Sequence, residues 1–303
     1  MNTIGEIGEQ NQQDFLSLMY LYVGKEMLET CGREAERAIR RAVHETGKRE
    51  GESLREQYEK AGIKTNLKTL YQGTPMCTCD PRLRIKVTAQ TEQMRLWEVY
   101  TCPMASLWLD QDGAYIGNCY CEEQQHGLIM GFTKGKGQLN LTKKLTCHRT
   151  NGCRADNYCR FSSYYRAANV NEEERQKSFS GSELEEAEKD ISKPDVKTYL
   201  KKQCIRLYCA LYEEAYSQFG QEGICAVSLG LKKLCIETKK LLSYHADATL
   251  RVCDLQFLSE NLPFSLNPSE DSCWEECKNP EAAKLFELHV IEPLRKCFLR
   301  GQD

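Results

Sequence analysis

A chain of 303 residues, 41% apolar and 28% charged, has an ordinary globular composition and is long enough for two domains or one duplicated domain. Its formal charge of −3 spreads no broad basic field over the surface, which argues against nucleic acid as a partner. The opening MNTIGEIGEQNQQDF lacks the basic and apolar regions of a secretory signal, and no stretch approaches the roughly 18–20 apolar residues of a membrane span, so a soluble cytoplasmic protein without membrane contact is expected.

Phe15, Leu18, Met19 and Tyr22 fall at the i, i+3, i+4, i+7 spacing that predicts a helix over 12–31, with Gly32 as its stop. A second helix starts at once and carries Ala35, Ala38, Ile39, Ala42 and Val43 on one stripe, small enough for close helix–helix approach. His44, beside that stripe, reads as a structural or surface histidine. From residue 83 the texture changes. RIKVTAQ, RLWEVYTC, QLNLTKKLTC and NYCRFSSYY alternate and are rich in β-branched and aromatic residues, which predicts four strands. Between the second and third, PMASLWLDQDGAYIGNCYCEEQQHGLIMGF has helical spacing for one or two helices, with Pro103 in a first turn and Gly131 as a stop.

Residues 1–170 are therefore expected to form an α+β domain: an N-terminal helix pair packed on a small antiparallel sheet. Residues 171–197 are dominated by charge and read as a solvated linker or surface helix at a domain boundary. Residues 198–303 are expected to be mostly helical and a diverged second copy. CGREAERAIRRAVHETGKREGESL (31–54) aligns without gaps to FGQEGICAVSLGLKKLCIETKKLL (219–242), and LRVCDLQFL (250–258) is the candidate surviving strand of that copy.

Seventeen cysteines stand out, and in a reducing compartment they imply free thiols, metal ligands or catalytic sulfur rather than disulfides. Cys31, Cys204, Cys209, Cys235 and Cys297 fit the role of small hydrophobes. Cys77 with Cys79, and Cys119 with Cys121, are C-x-C pairs rather than the C-x2-C of common zinc sites, and Cys273 with Cys277 reads as one helical face. No cofactor is indicated, and a cysteine-ligated metal stays open. A thiolate nucleophile needs a nearby cation, imidazole or helix N-terminus. Cys102 directly precedes Pro103 and a helix start, and Cys121 has His126 about a turn beyond. In CHRTNGCRADNYCRF (147–161), His148, Arg149 and Arg154 offer a base and positive charge, and Asp156 offers a partner to orient an imidazole. The same stretch also reads as a plain Asp/Asn turn whose flanking cysteines face the core.

The run from WEVYTCPMASLWLD through IGNCYCEEQQHGLIMGF to LTCHRTNGCRADNYCRF resembles the L-2-amino-thiazoline-4-carboxylic acid hydrolase family, and the resemblance extends over about residues 15–165. The elements that carry it are Cys102 with Pro103, then Cys121, then Cys159 with Phe161. The chain departs from the family pattern at Ala155, where a Gly is usual, at Arg160, where an acid is usual, and after Cys121, where Glu122, Glu123 and Gln124 replace Cys-x-x-Asp. The resemblance implies hydrolytic opening of a small heterocycle at an amidine or cyclic-amide C–N bond. Cys121 would then be the first choice for nucleophile, with Cys102 and Cys159 as the other sulfur candidates, His148 or Glu122 as base, and Arg149, Arg154 and Asp156 around the substrate. Two other readings stand beside it: a non-catalytic small-molecule sensor module, and a cysteine-rich metal or iron–sulfur protein. The expected partner is a small molecule, and the chain is either a monomer with an internal pseudo-twofold or a homodimer.

Overall fold

The computed structural model describes residues 4–73, 80–147, 158–179, 195–266, 274 and 277–298. Helix α1 (Ile4–Cys31) ends at Gly32, whose φ of +72° is the left-handed conformation that glycine adopts without steric cost. Between Asn11 and Gly24 its residues are buried on nearly every side, so α1 is a central rather than an amphipathic surface helix. Helix α2 (Ala35–Ala61) presents the predicted stripe of Ala35, Ala38, Ile39, Ala42 and Val43 to the interior.

After α3 (Leu67–Gly73), strands β1 (Arg84–Gln90) and β2 (Met94–Thr101) form a hairpin. Helices α4 (Pro103–Asp110) and α5 (Ala114–Phe132) follow, then strands β3 (Gln138–Lys143) and β4 (Cys159–Tyr164). The four strands make one antiparallel sheet in the order β1-β2-β4-β3, in which Val99 faces Cys159 and Trp97 faces Phe161. One face of the sheet carries Trp97, Val99, Cys159 and Phe161 into a core shared with Ile85, Leu139, Leu141 and Cys102. The period-2 alternation read in the sequence is what puts these side chains on one face.

Pro103 occupies the first turn of α4, where its missing N–H costs nothing. Gly131, expected to stop a helix, instead lies inside α5, which runs on to Phe132. Its lack of a side chain serves packing: a Cβ there would run into the carbonyl of Lys48 on α2, and Gly47, Gly51 and Gly127 are in equivalent backbone contact along the same crossing. The close approach foreshadowed by the small residues of α2 is thus made to α5.

Helix α6 (Glu172–Ser178) is capped by Asn171, whose side chain accepts from the Glu174 N–H. This part of the charged segment is not merely solvated. Glu174 accepts from the buried Arg55 guanidinium of α2, and Ser178 and Phe179 are buried. Helix α7 (Val196–Thr249) bends at Gly220, where φ is 55° and ψ −128°. Its first part packs on α2 and its second part runs antiparallel to α1, so residues 15–23 of α1 share a core with α7. The segment 250–258, expected to hold a strand, contains none. Residues 251–254 are irregular and Leu255–Asn261 form helix α8, whose N-terminus is capped by Asp254. A side chain that bonds the first free N–H groups of a helix overrides the weak alternation of LRVCDLQFL. Helices α9 (Pro280–Phe286) and α10 (Glu292–Phe298) are joined by a π turn, Glu287–Ile291. Among the described residues no helix is long and apolar enough to cross a membrane.

Candidate functional site

Between the apolar face of the sheet and helices α4, α5 and α7 lies a cavity of about 130 Å³ with mostly apolar walls. That is close to the ~150 Å³ of an engineered cavity that admits benzene. Trp97 and Phe161 stack at its base, with ring centroids 4.9 Å apart and planes 3° from parallel. Cys102, Cys121 and Cys159 all line it, so residues far apart in sequence reach one space by three routes. Cys102 is the last residue before α4, Cys121 faces inward from the middle of α5, and Cys159 opens β4 on its buried face.

Their surroundings differ. Burial, reinforced by Cys159 and Cys102 close by, holds the Cys121 thiol well above the ordinary thiol range. Burial also raises Cys102, against the lowering effect of the Ala105 and Met104 N–H groups at the start of α4. The helix start expected to activate Cys102 is present, and burial outweighs it. Cys159 receives a hydrogen bond from the Leu145 N–H at 3.2 Å.

Polar groups enter the cavity from α5 and α7: Gln124, Gln125, Tyr199 and Gln203. Behind them lies Glu50 of α2, buried, which accepts from the Tyr199 hydroxyl at 3.0 Å and from the Gln124 amide at 3.2 Å. Burial pushes its carboxyl up to about 7, against the lowering influence of Tyr199, Gln203 and the Arg206 charge. A carboxyl group in that range exchanges its proton near neutral pH. Sequence reading missed this group. Its one local signal is that Glu50 falls four residues after Thr46 and seven after Val43, on the apolar stripe of α2, where a solvated glutamate would not be placed. Tyr199 and Gln203 carry no such signal, because only the fold of α7 over the sheet brings them to the cavity.

The remaining expected residues are distributed as follows. Glu122 does not line the cavity. It is ion-paired with Arg40 and with Lys144, and against the effect of its partial burial these cations hold its carboxyl below the usual range, which suits a structural anion better than a base. His126 turns away from Cys121 and faces His44 on α2. His148, Arg149, Arg154 and Asp156 lie outside the described residues, as do Cys77, Cys79, Cys153 and Cys273. Among the described residues lining the cavity there is no Lys or Arg. Arg82, close by, is held by Asp14 and Asp80.

Of the cysteines expected to pack as small hydrophobes, Cys204 and Cys235 are buried and Cys31 is half-buried, whereas Cys297 is exposed. Cys209 is not a lone thiol but is disulfide-bonded to Cys277, with Cα atoms 5.9 Å apart. Cys277 sits in irregular backbone just before α9 rather than on a helical face.

Residues 11–154 match the model of a family described as L-2-amino-thiazoline-4-carboxylic acid hydrolase. No curated protein and no solved structure matches the chain. The match takes in α1 to β3 and both Cys102 and Cys121, and it stops short of β4 with Cys159 and of α7 with Tyr199 and Gln203.

Proposed function

Residues 11–154 belong to the L-2-amino-thiazoline-4-carboxylic acid hydrolase family, and on that premise we propose that this hydrolase opens a small heterocycle at an amidine or cyclic-amide C–N bond inside the sheet–helix cavity. The observation that carries the reading is the convergence of Cys102, Cys121 and Cys159 with glutamine amides, Gln124, Gln125 and Gln203 among them, and Tyr199 on that one cavity. Apolar walls and the Trp97–Phe161 stack suit a flat ring, and the amides supply directional hydrogen bonds to ring heteroatoms.

Cys121 is the nucleophile of first choice, lining the cavity from the middle of α5. Because its thiol is held well above the ordinary range, it is protonated at rest and gives up its proton only as it attacks. The basic nitrogen of an amidine substrate can take that proton directly. Glu50, reached through Tyr199 and Gln124, is a buried carboxyl that exchanges a proton near neutral pH, and it equally suits activation of a water. Cys121→Ser tests the assignment on a panel of cyclic amidines and amides. Loss of turnover with an unchanged circular dichroism spectrum is expected, and retained turnover would replace the thiol with activated water. Recovery of every bound ligand unchanged would instead favour the sensor module, for which the apolar walls of the cavity are the supporting observation.

The same reading gives the C-terminal half the place of a partner subunit. The two helix pairs bend at aligned glycines, Gly32 and Gly220, both at positive φ. Glu26 and Glu214, which occupy the same aligned position, each pair with a cation on the opposite copy, Lys233 and Arg41 respectively. Such crossed contacts suit a pseudo-twofold made by duplication, and the second copy then supplies Tyr199 and Gln203 to the first copy's cavity. Sedimentation should show a monomer. A tight homodimer burying α8–α10 would count against the duplication.

A further inference from the structure

On the side of α5 away from the cavity, α2 and α5 bring together three side chains that the hydrolase reading leaves unused. Helical spacing puts Cys121, Gln124 and Gln125 on one face of α5, and Glu123 and His126 on the other. There they meet His44 of α2. One donor atom from each of His44, Glu123 and His126 lies within 4.8 Å of both others. The His44 Nδ1 and Glu123 Oε2 atoms are 3.2 Å apart, and the two imidazole centroids are 5.1 Å apart. Two ligand atoms each bonded to zinc at about 2.0–2.2 Å, at a tetrahedral angle, sit roughly 3.4 Å from one another. The His44–Glu123 separation is therefore already that of a ligand pair, and His126 needs a side-chain adjustment of about an ångström to complete the set.

From these positions we propose that His44, Glu123 and His126 bind a divalent transition-metal ion such as zinc, with the remaining coordination positions open to water. A His44–Glu123 hydrogen bond alone would not call for His126, yet the Glu-x-x-His spacing places both of its donors on one helical edge, as in metal sites built between the helices of bundles. The backbone holds the two helices at this point. Gly127, next to His126, packs directly on the carbonyl of His44, so the donors are carried by elements in backbone contact rather than by loops. Of the arginines that share this surface pocket, Arg40 is paired with Glu36 and Glu122 as well as with the far oxygen of Glu123, and Arg41 is paired with Glu214. The oxygen of Glu123 that faces His44 is the one left for the ion.

The full chain, reduced and stripped with chelator, would be titrated with Co²⁺ under absorption spectroscopy and then competed with Zn²⁺. The expected result is one equivalent bound, with the weak d–d bands of nitrogen and oxygen ligands and without a thiolate-to-cobalt charge-transfer band. His44→Ala and His126→Ala should each weaken binding by at least roughly tenfold, the lower end of what even an indirect loss of ligand support costs. Glu123→Gln, which keeps side-chain size and so preserves packing, should weaken binding likewise. No stoichiometric uptake, a strong thiolate charge-transfer band, or affinity unchanged in the histidine variants would each overturn the site.

Discussion

Glu50 departs from the ordinary behaviour of a glutamate. A carboxyl group that ordinarily titrates near 4.5 is carried by burial up to about 7. Folding therefore favours its protonated form. The sign follows: between about pH 4.5 and 7 the unfolded chain has released this proton and the folded chain keeps it, so this group's contribution to stability is full below that window and is lost as pH rises through it. Unfolding by urea should show wild-type stability falling across this window by up to a few kcal/mol from this group, at about 1.4 kcal/mol per pH unit at the steepest. Glu50→Gln, which keeps the shape and removes the ionisation, should flatten that dependence. An equally steep fall in the variant would assign the effect to another group. Because Glu50 reaches the cavity through Tyr199, Gln124 and Gln203, it is a positioning and proton-holding residue, and the same variant should shift the pH profile of turnover as well as its height. Cys102 was legible as a residue of interest because Pro103 marked a helix start, Cys121 because His126 follows it about a turn beyond, and Cys159 through the resemblance of its Cys-x-Phe motif to the hydrolase family. The raised thiols of Cys102 and Cys121 were not, since the burial behind them depends on sequence-distant walls.

The α2–α5 crossing governs the site at the level of elements. Four glycines, Gly47, Gly51, Gly127 and Gly131, let the two backbones touch over more than a turn. A methyl group at any of them would meet backbone atoms, which cannot swing aside as a flexible side chain can. Gly51→Ala and Gly131→Ala should each cost about 1–3 kcal/mol or more, read as a lower urea midpoint at unchanged slope. Both are distant enough from Cys121 that a cavity defect would be indirect. An unchanged midpoint would mean that the helices separate at little cost and that the crossing does not fix Glu50 or His44. The small-residue pattern of α2 was visible in the sequence, but its partner was not, because a stripe of alanine and glycine specifies closeness and not which helix comes close. The misread stop at Gly131 has the same origin: glycine ends helices and also admits neighbouring backbones, and only the neighbour decides between these roles.

For the whole molecule, one core runs through both halves of the chain. Phe15, Met19, Tyr20 and Val23 of α1 are fully or almost fully buried, and the core they belong to includes Tyr208, Leu211, Val227 and Leu231 of α7. A chain ending at residue 179 would expose that apolar surface and lose the α7 wall of the cavity. Such a truncation should bind hydrophobic dyes and lack a near-ultraviolet circular dichroism signal, as a loosely packed state does. A cooperatively unfolding 1–179 fragment would show instead that α7 is dispensable to the first half. The sequence by itself determined the α+β class, the four strands and the α4 and α5 helices, because those follow from periodicity and from Pro103, while the choice of three cysteines leaned on the resemblance of their motifs to the hydrolase family. Only the tertiary structure decided that Cys102, Cys121 and Cys159 share a cavity in which burial raises the thiols of Cys102 and Cys121, that Glu50 sits behind it near neutrality, and that α7 closes it. Those properties depend on desolvation and on contacts between residues far apart in the chain, Glu50 and Tyr199 among them at a separation of 149, and no local pattern encodes either.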